Sequence, residues 1–297
     1  MINAILIQLI AFLPKRLIKP FAAPYVAGTT MDDAFAVVKA LNKQGFATTI
    51  DILGEHTESK AEAAKICTEY LKLYQRIAEE QLDANISLKL THLGLELSPK
   101  IAEKNILTIL KQAQKYNNFL RIDMENSPYT DATIDIYKNC LKVYNRVGTV
   151  LQAYLFRTAD DIDNLNSNLF NCRICKGIYR ESAKIAYQDK LKIRNKFIEN
   201  TISILKGDGY AAIATHDLKI IDQLDNWITD NKIPSDRFEF QVMYGVPMGN
   251  RLQRLLDSGY KVRYYVPYGE AWFNYSLRRL KENPSILWYV ASNIFKN

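Results

Sequence analysis

The stretch that decides the fold runs from residue 85 to residue 125, NISLKLTHLGLELSPKIAEKNILTILKQAQKYNNFLRIDME. It opens with Asn85 to Thr91, where Ile86, Leu88 and Leu90 alternate with polar residues, the period-two signature of a strand. Pro99 to Tyr116 follows with helical spacing, and Ser98 stands as the N-cap before proline at the first helical position. Phe119 to Glu125 is again strand-like. A strand, a helix long enough to cross over and a second strand form the unit from which parallel sheets are built.

The same alternation continues in both directions. Strands are expected over 46–52, 149–155, 170–176, 211–215, 238–243 and 261–266. Helices are expected over 58–82 and 131–144, briefly after Thr158, and over 188–206, 217–231, 249–257 and 272–282. Eight strand–helix units with right-handed crossovers in 297 residues predict an α/β protein, a closed (β/α)8 TIM-like barrel rather than an open sheet. No Pro/Gly/Ser-rich linker interrupts the series. The expected division is therefore an N-terminal helical extension over 1–45 and one catalytic barrel over 46–297.

The apolar run from Met1 to Leu13, followed by Lys15, Arg16 and Lys19, is shorter than the roughly 20 residues a membrane span needs. It also lacks the order of a secretory signal. Two readings stand: an element packed on the domain, or an interfacial helix with its basic cluster on lipid headgroups.

Composition narrows the function classes. The chain carries 39 basic and 32 acidic residues, a formal charge of +7, with 48% hydrophobic residues. The basic residues are dispersed, so no nucleic-acid arm is expected. Four cysteines are too few for a disulfide scaffold. Cys172 and Cys175 form a C-x-x-C in an apolar run and read as buried strand cysteines before they read as a redox pair. His56, His92 and His216 stand apart without metal-ligand spacing, so no metal is expected. Neither G-x-G-x-x-G nor a Walker loop is present.

The chemistry-bearing residues fall in and after the strands: Glu55, Lys89, Arg121, Asp123, Glu125, Gln152, Arg173, Lys176, Tyr179, Thr215, His216, Glu239, Gln241, Arg263 and Tyr265. Active sites of such barrels lie at the C-terminal mouth, and several Lys/Arg facing Asp/Glu there suit a zwitterionic or anionic substrate. Lys89, inside an alternating apolar strand, needs a partner. It can be a carboxylate ligand, a Schiff-base nucleophile or half of a structural ion pair.

These residues also carry a resemblance. LGE (53–55), SLKLT (87–91), RIDME (121–125), LQAYL (151–155), KGIYRE (176–181), ATHD (214–217), EFQVMYG (239–245), VPYG (266–269) and YSLRRL (275–280) match, in order, segments of the proline dehydrogenase family. That family comprises monofunctional enzymes and the proline dehydrogenase domain of bifunctional proline utilisation enzymes. The resemblance covers residues 46–284 and implies a distorted barrel with FAD at its mouth. It implies oxidation of L-proline to Δ1-pyrroline-5-carboxylate by hydride transfer to flavin N5. Electrons would then pass to a membrane quinone, in a cytoplasmic protein that can sit peripherally on the membrane.

By the same resemblance, Arg278 and Arg279 hold the proline carboxylate with Lys89, and Asp123 fixes the cationic cluster. Glu55 pairs with Arg278 as a gate. Tyr265 and Tyr275 pack on the substrate ring, and Tyr179 and Met243 line the pocket. Arg173 is placed near flavin N5. Gln152, Lys176, Thr215, His216 and Gln241 contact the flavin by hydrogen bonds. Ile178 stands where the family often has Ala, and the 269–275 loop is shorter than in the bifunctional enzymes. No aldehyde dehydrogenase domain follows before Asn297. Two rivals remain from the residues alone: a flavin-free barrel lyase using Lys89 or Lys176 as a Schiff-base nucleophile, and a basic barrel that binds anionic membranes or polyanions.

Overall fold

Short β-branched strands alternating with amphipathic helices have only one economical closure when eight of them follow one another, and the computed structural model shows it. It describes residues 25–273 together with Tyr275 and Ser276. The strands are β1 (Ala47–Ile52), β2 (Ala84–Leu88), β3 (Leu120–Ile122), β4 (Val147–Gln152), β5 (Asn171–Cys175), β6 (Tyr210–Ala214), β7 (Phe238–Met243) and β8 (Val262–Tyr268). They form a closed barrel in sequence order. All neighbours are parallel, and β8 pairs with β1, placing Tyr265 beside Thr49 and Tyr268 beside Ile52.

The helices are α1 (Met31–Lys43), α2 (Lys60–Glu79), α3 (Pro99–Lys115), α4 (Thr130–Leu141), α5 (Thr158–Leu165), α6 (Lys190–Lys206), α7 (Leu218–Asp230) and α8 (Arg251–Asp257). Within the N-terminal extension α1 is helical. It starts on a capping box in which the Thr30 hydroxyl accepts from Asp33 N and the Asp33 side chain accepts from the Thr30 backbone. It packs on β1 and β8. The apolar run at 1–13 lies outside the described residues. No helix among the described residues is long and apolar enough to cross a membrane.

The strands' two faces have different jobs. Ile50, Ile86, Leu88, Ile122, Ile174, Ile213, Phe240 and Val262 join the helices' apolar stripes in one buried cluster. The alternate residues face inward and hydrogen-bond across the lumen: Thr49 to Asn85, Ser87 to Asp123, Arg173 to Gln241, Arg263 to Glu239. The inward face therefore carries the barrel's buried charges, and the apolar core lies between strands and helices.

β2, β3 and β4 each end three residues short of the sequence expectation, at Leu88, Ile122 and Gln152. β2 ends at Leu88, so Lys89 stands one residue past the strand, and Thr91–Leu93 forms a 3-10 turn. β3 ends at Ile122, although Asp123 N still donates to Leu88 O at 2.8 Å. Beyond it the chain turns so that Glu125 accepts from Thr91 N (3.0 Å) and Thr91 Oγ1 (2.5 Å). Ser98 has the extended backbone of an N-cap before Pro99, but its hydroxyl makes no capping hydrogen bond.

The C-x-x-C cysteines do not form a dithiol. Residues three apart on a strand point to opposite faces. Cys172 is fully buried, and burial pushes its thiol up to about 12.

Candidate active site

The C-terminal mouth collects its charges around Asp123. The inward position at the end of β3 places this carboxylate where β2, β5 and β8 converge. Its Oδ1 accepts from Ser87 Oγ at 2.5 Å and Arg173 Nη1 at 2.7 Å. Its Oδ2 accepts from the Tyr265 hydroxyl at 2.9 Å and lies 3.7 Å from Lys89 Nζ. Burial alone would push this carboxyl up, but the Arg173 and Lys89 charges outweigh it and hold Asp123 below the ordinary carboxylate range.

Lys89 is wedged between two carboxylates. Its Nζ donates to Asp51 Oδ2 at 3.2 Å, with Asp123 on the other side. Burial opposes its charge, yet Asp51 and Asp123 together push its pKa above the ordinary lysine value. It therefore stays an ammonium. Asp51 bears the strain of the arrangement. It is 1% exposed, and burial, reinforced by the nearby Asp123 charge and offset only in part by Lys89, raises its pKa to about 6.

Arg173 forms the opposite wall. Nε donates to Gln241 Oε1 at 2.6 Å, and the guanidinium carbon lies 5.1 Å from the centre of the Tyr265 ring. Gln241 passes its other side to Glu239, Nε2 to Oε1 at 2.5 Å, and Glu239 accepts from Arg263 Nε at 3.0 Å. A hydrogen-bonded chain thus runs from the mouth to the opposite end of the lumen. It fixes which way the Gln241 amide points, and with it the plane of Arg173.

The remaining expected residues flank this array. Gln152 Nε2 donates to Glu125 O at 3.3 Å. Lys176 Nζ donates to Asp217 Oδ2 at 2.7 Å, an oxygen it shares with Arg194 Nε at 2.8 Å. Thr215 Oγ1 accepts from Asp217 N at 3.1 Å. His216 Nε2 accepts from Met243 N at 2.9 Å, so in the neutral ring the proton sits on Nδ1. Tyr179 is half-buried, and burial raises its pKa above the ordinary tyrosine value, with Lys89 opposing and the Glu125 and Glu55 charges adding to the rise. Glu55 stands three residues past the end of β1, at the same end of the barrel. The Tyr275 hydroxyl approaches Met243 Sδ at 3.9 Å, and Tyr275 packs with Val26 and Leu53. Arg278 and Arg279 lie outside the described residues.

Two glycines permit close packing here. A Cβ on Gly54 would sit 2.3 Å from His92 Nε2. Gly177, at φ +102°, passes directly over the Tyr154 ring, where a Cβ would come within 2.3 Å.

Sequence reasoning missed Asp51 and Ser87. The signal was present, since an aspartate inside the apolar strand ATTIDI is as costly as Lys89 in its own stretch. Conversely Arg121, Glu239 and Arg263, read with the mouth residues, lie at the other end. Each stands two residues before a mouth residue on its strand, about 6.6 Å lower in the lumen. There Arg121 donates to Thr149 O (2.8 Å) and Asn171 O (2.9 Å).

The array tests the fit of a flavin. Gln152 Oε1 and Arg173 Nη2 are buried and have no hydrogen-bond partner among the described residues. Buried polar atoms of this kind call for a partner. The edge of an isoalloxazine, which alternates donors and acceptors, provides both kinds, and the residues present fit it.

Comparison with known proteins places this geometry. The model of the proline dehydrogenase family matches residues 34–290. Proline dehydrogenase 1 of Bacillus subtilis (strain 168) is 40% identical over 275 residues, covering 93% of this chain and 91% of that protein. The proline dehydrogenase of Deinococcus radiodurans is 32% identical over 280 residues, with 93% and 90% covered. Among solved structures, proline utilization A from Bdellovibrio bacteriovorus inactivated by N-propargylglycine superposes with a TM-score of 0.83 at 23% identity. That match covers 91% of this chain and 33% of the larger protein, and supports the fold.

Proposed function

The chain belongs to the proline dehydrogenase family, an oxidoreductase family of proline catabolism, and on that premise we propose that its mouth binds L-proline against FAD and removes a hydride from the substrate ring. One observation carries the reading: Lys89, Asp123 and Arg173 meet in a single buried array, beside acceptor and donor atoms of Gln152 and Arg173 that have no partner among the described residues.

The residues divide the work by charge. Lys89, kept protonated by Asp51 and Asp123, offers a fixed cation to the proline carboxylate. Arg278 and Arg279 are the proposed bidentate partners of that carboxylate. Asp123 holds Tyr265 by its hydroxyl, so the phenol ring presents a rigid apolar face beside the substrate ring. Tyr275, Tyr179 and Met243 complete the apolar lining, and Glu55 is the proposed gate partner of Arg278. Arg173, braced by Gln241 and Asp123, places a cation where negative charge develops. Gln152, Lys176, Thr215 and His216 are the proposed hydrogen-bonding contacts of the cofactor, and Gln241 acts through Arg173. Bound FAD would supply the hydride acceptor, giving Δ1-pyrroline-5-carboxylate as product. A membrane quinone is the proposed final electron acceptor.

The same geometry argues against a Schiff-base lyase. A nucleophilic lysine must be neutral, and such lysines have depressed pKa values. Lys89 is pushed the other way by two carboxylates, and Lys176 is paired with Asp217. The test is spectroscopic. The purified protein should show a flavin band in the visible that L-proline bleaches without oxygen. A colourless protein, or a band indifferent to proline, would overturn the reading.

A further inference from the structure

The opposite end of the barrel holds a polar cavity of about 340 Å³. It is lined by the starts of β2, β3, β5, β6, β7 and β8, at the far end of the lumen from the cluster around Asp123. Its charge is unbalanced. Arg121, Arg146, Lys261 and Arg263 line it against only Asp83 and Glu239. Arg263 and Glu239 neutralise each other at 3.0 Å.

Arg121 has no such partner among the described residues. It is 2% exposed, and its guanidinium donates only to neutral acceptors: Thr149 O, Asn171 O and Asn171 Oδ1 at 2.5 Å. The Phe119 ring stacks on it at 4.8 Å. No carboxylate lies within ion-pairing distance of it among the described residues, and Glu239 acts on it only at longer range. Burial, with the Arg173 charge above, pulls Arg121 down to about 10, the mark of a cation lacking its counter-charge. Arg146 likewise bonds a neutral acceptor, Asn117 Oδ1, at 2.7 Å. Lys261 is exposed and makes no ion pair among the described residues. A buried guanidinium without an anion is costly unless one arrives.

We propose that this end of the barrel binds a small oxyanion of the phosphate class, held between Arg121, Arg146 and Lys261. Guanidinium forks match phosphate oxygens, and Arg146 and Lys261 reach the cavity from solvent, so entry requires no opening of the barrel. The inference is independent of the reading of the mouth, which lies at the other end of the lumen.

The test uses the purified holoenzyme. Its unfolding midpoint and heat of binding are followed on titration with inorganic phosphate, against sodium chloride of matched ionic strength. The expected result is a saturable rise in midpoint with phosphate alone. The double variant Arg146→Gln/Lys261→Gln, which leaves the buried Arg121 in place, should bind phosphate roughly tenfold more weakly. Its proline oxidation should be unchanged. A second arm replaces phosphate with glycerol phosphate: tighter binding points to an esterified ligand, equal or weaker binding to the free ion. No saturable rise beyond the chloride control would overturn the proposal. So would a rise of equal size and affinity in the double variant, since phosphate would then bind elsewhere.

Discussion

The Arg263–Glu239 pair low in the lumen and the cluster around Asp123 at the mouth handle buried charge in different ways. At the N-terminal end Arg263 spends its guanidinium on both oxygens of Glu239 and on Thr48 O, and Glu239 also accepts from Gln241. At the mouth, Asp123 is divided among Ser87, Arg173, Tyr265 and Lys89, while Gln152 Oε1 and Arg173 Nη2 have no partner among the described residues. A charge closed on its own protein partners supports the barrel. A charge held by several neighbours, with open atoms beside it, is arranged for a molecule that arrives. The comparison predicts that substitutions in the pair read out in stability and those in the cluster in activity.

The largest effect is expected from Glu239→Ala. It strands Arg263, 4% exposed, in the lumen, and loss of a buried partner costs about 3–5 kcal/mol. Chemical denaturation followed by circular dichroism measures it, and a loss below about 1 kcal/mol would break the contrast between the pair and the cluster.

Asp123→Asn keeps the shape of the hub and removes its charge. It should lower kcat/KM for proline roughly a hundredfold, about 2.7 kcal/mol of transition-state stabilisation, with the flavin band retained. Tyr265→Phe deletes one hydrogen bond to that hub and should cost about tenfold in kcat/KM, with unfolding free energy within about 1 kcal/mol of the parent.

How far the sequence foretold this follows the physics of period and pairing. The barrel was legible because strand and helix periods alternate eight times, a local signal. Lys89 stood out because a charge in an apolar strand is costly, whereas the role of Asp123 came from the family resemblance. What could not be read was height in the lumen. Arg121 and Asp123 share a strand face and differ only by one pleat repeat, so their assignment to opposite ends waits on the register of a closed sheet. The sharing of Asp123 by Ser87, Arg173 and Tyr265 joins residues 36, 50 and 142 apart. Asp51 carried the same local signal as Lys89, but its pairing with Lys89, 38 residues away, did not show in the sequence.

The smallest expected effect sharpens the contrast through pH. Glu239 is lowered to about 2 from an ordinary 4.5: burial opposes this, but Arg263 prevails. Its contribution to stability is present above pH 4.5 and lost as pH falls towards 2. Asp51 is raised to about 6 from 3.8, so the folded protein holds its proton more tightly than the unfolded chain does. The sign reverses: stability associated with Asp51 declines as pH rises from about 4 to 6. Unfolding midpoints across this range should therefore vary less in Asp51→Asn than in the parent. An unchanged profile would remove Asp51 from the mouth's charge balance.

The central claim is that the mouth's fixed cation holds the substrate's carboxylate beside the flavin, and Lys89→Met tests it most directly. Rapid mixing of this variant with limiting L-proline, without oxygen, follows loss of the flavin band. The account predicts normal flavin content and bleaching slowed at least about a hundredfold. Bleaching at the parent's rate would contradict it.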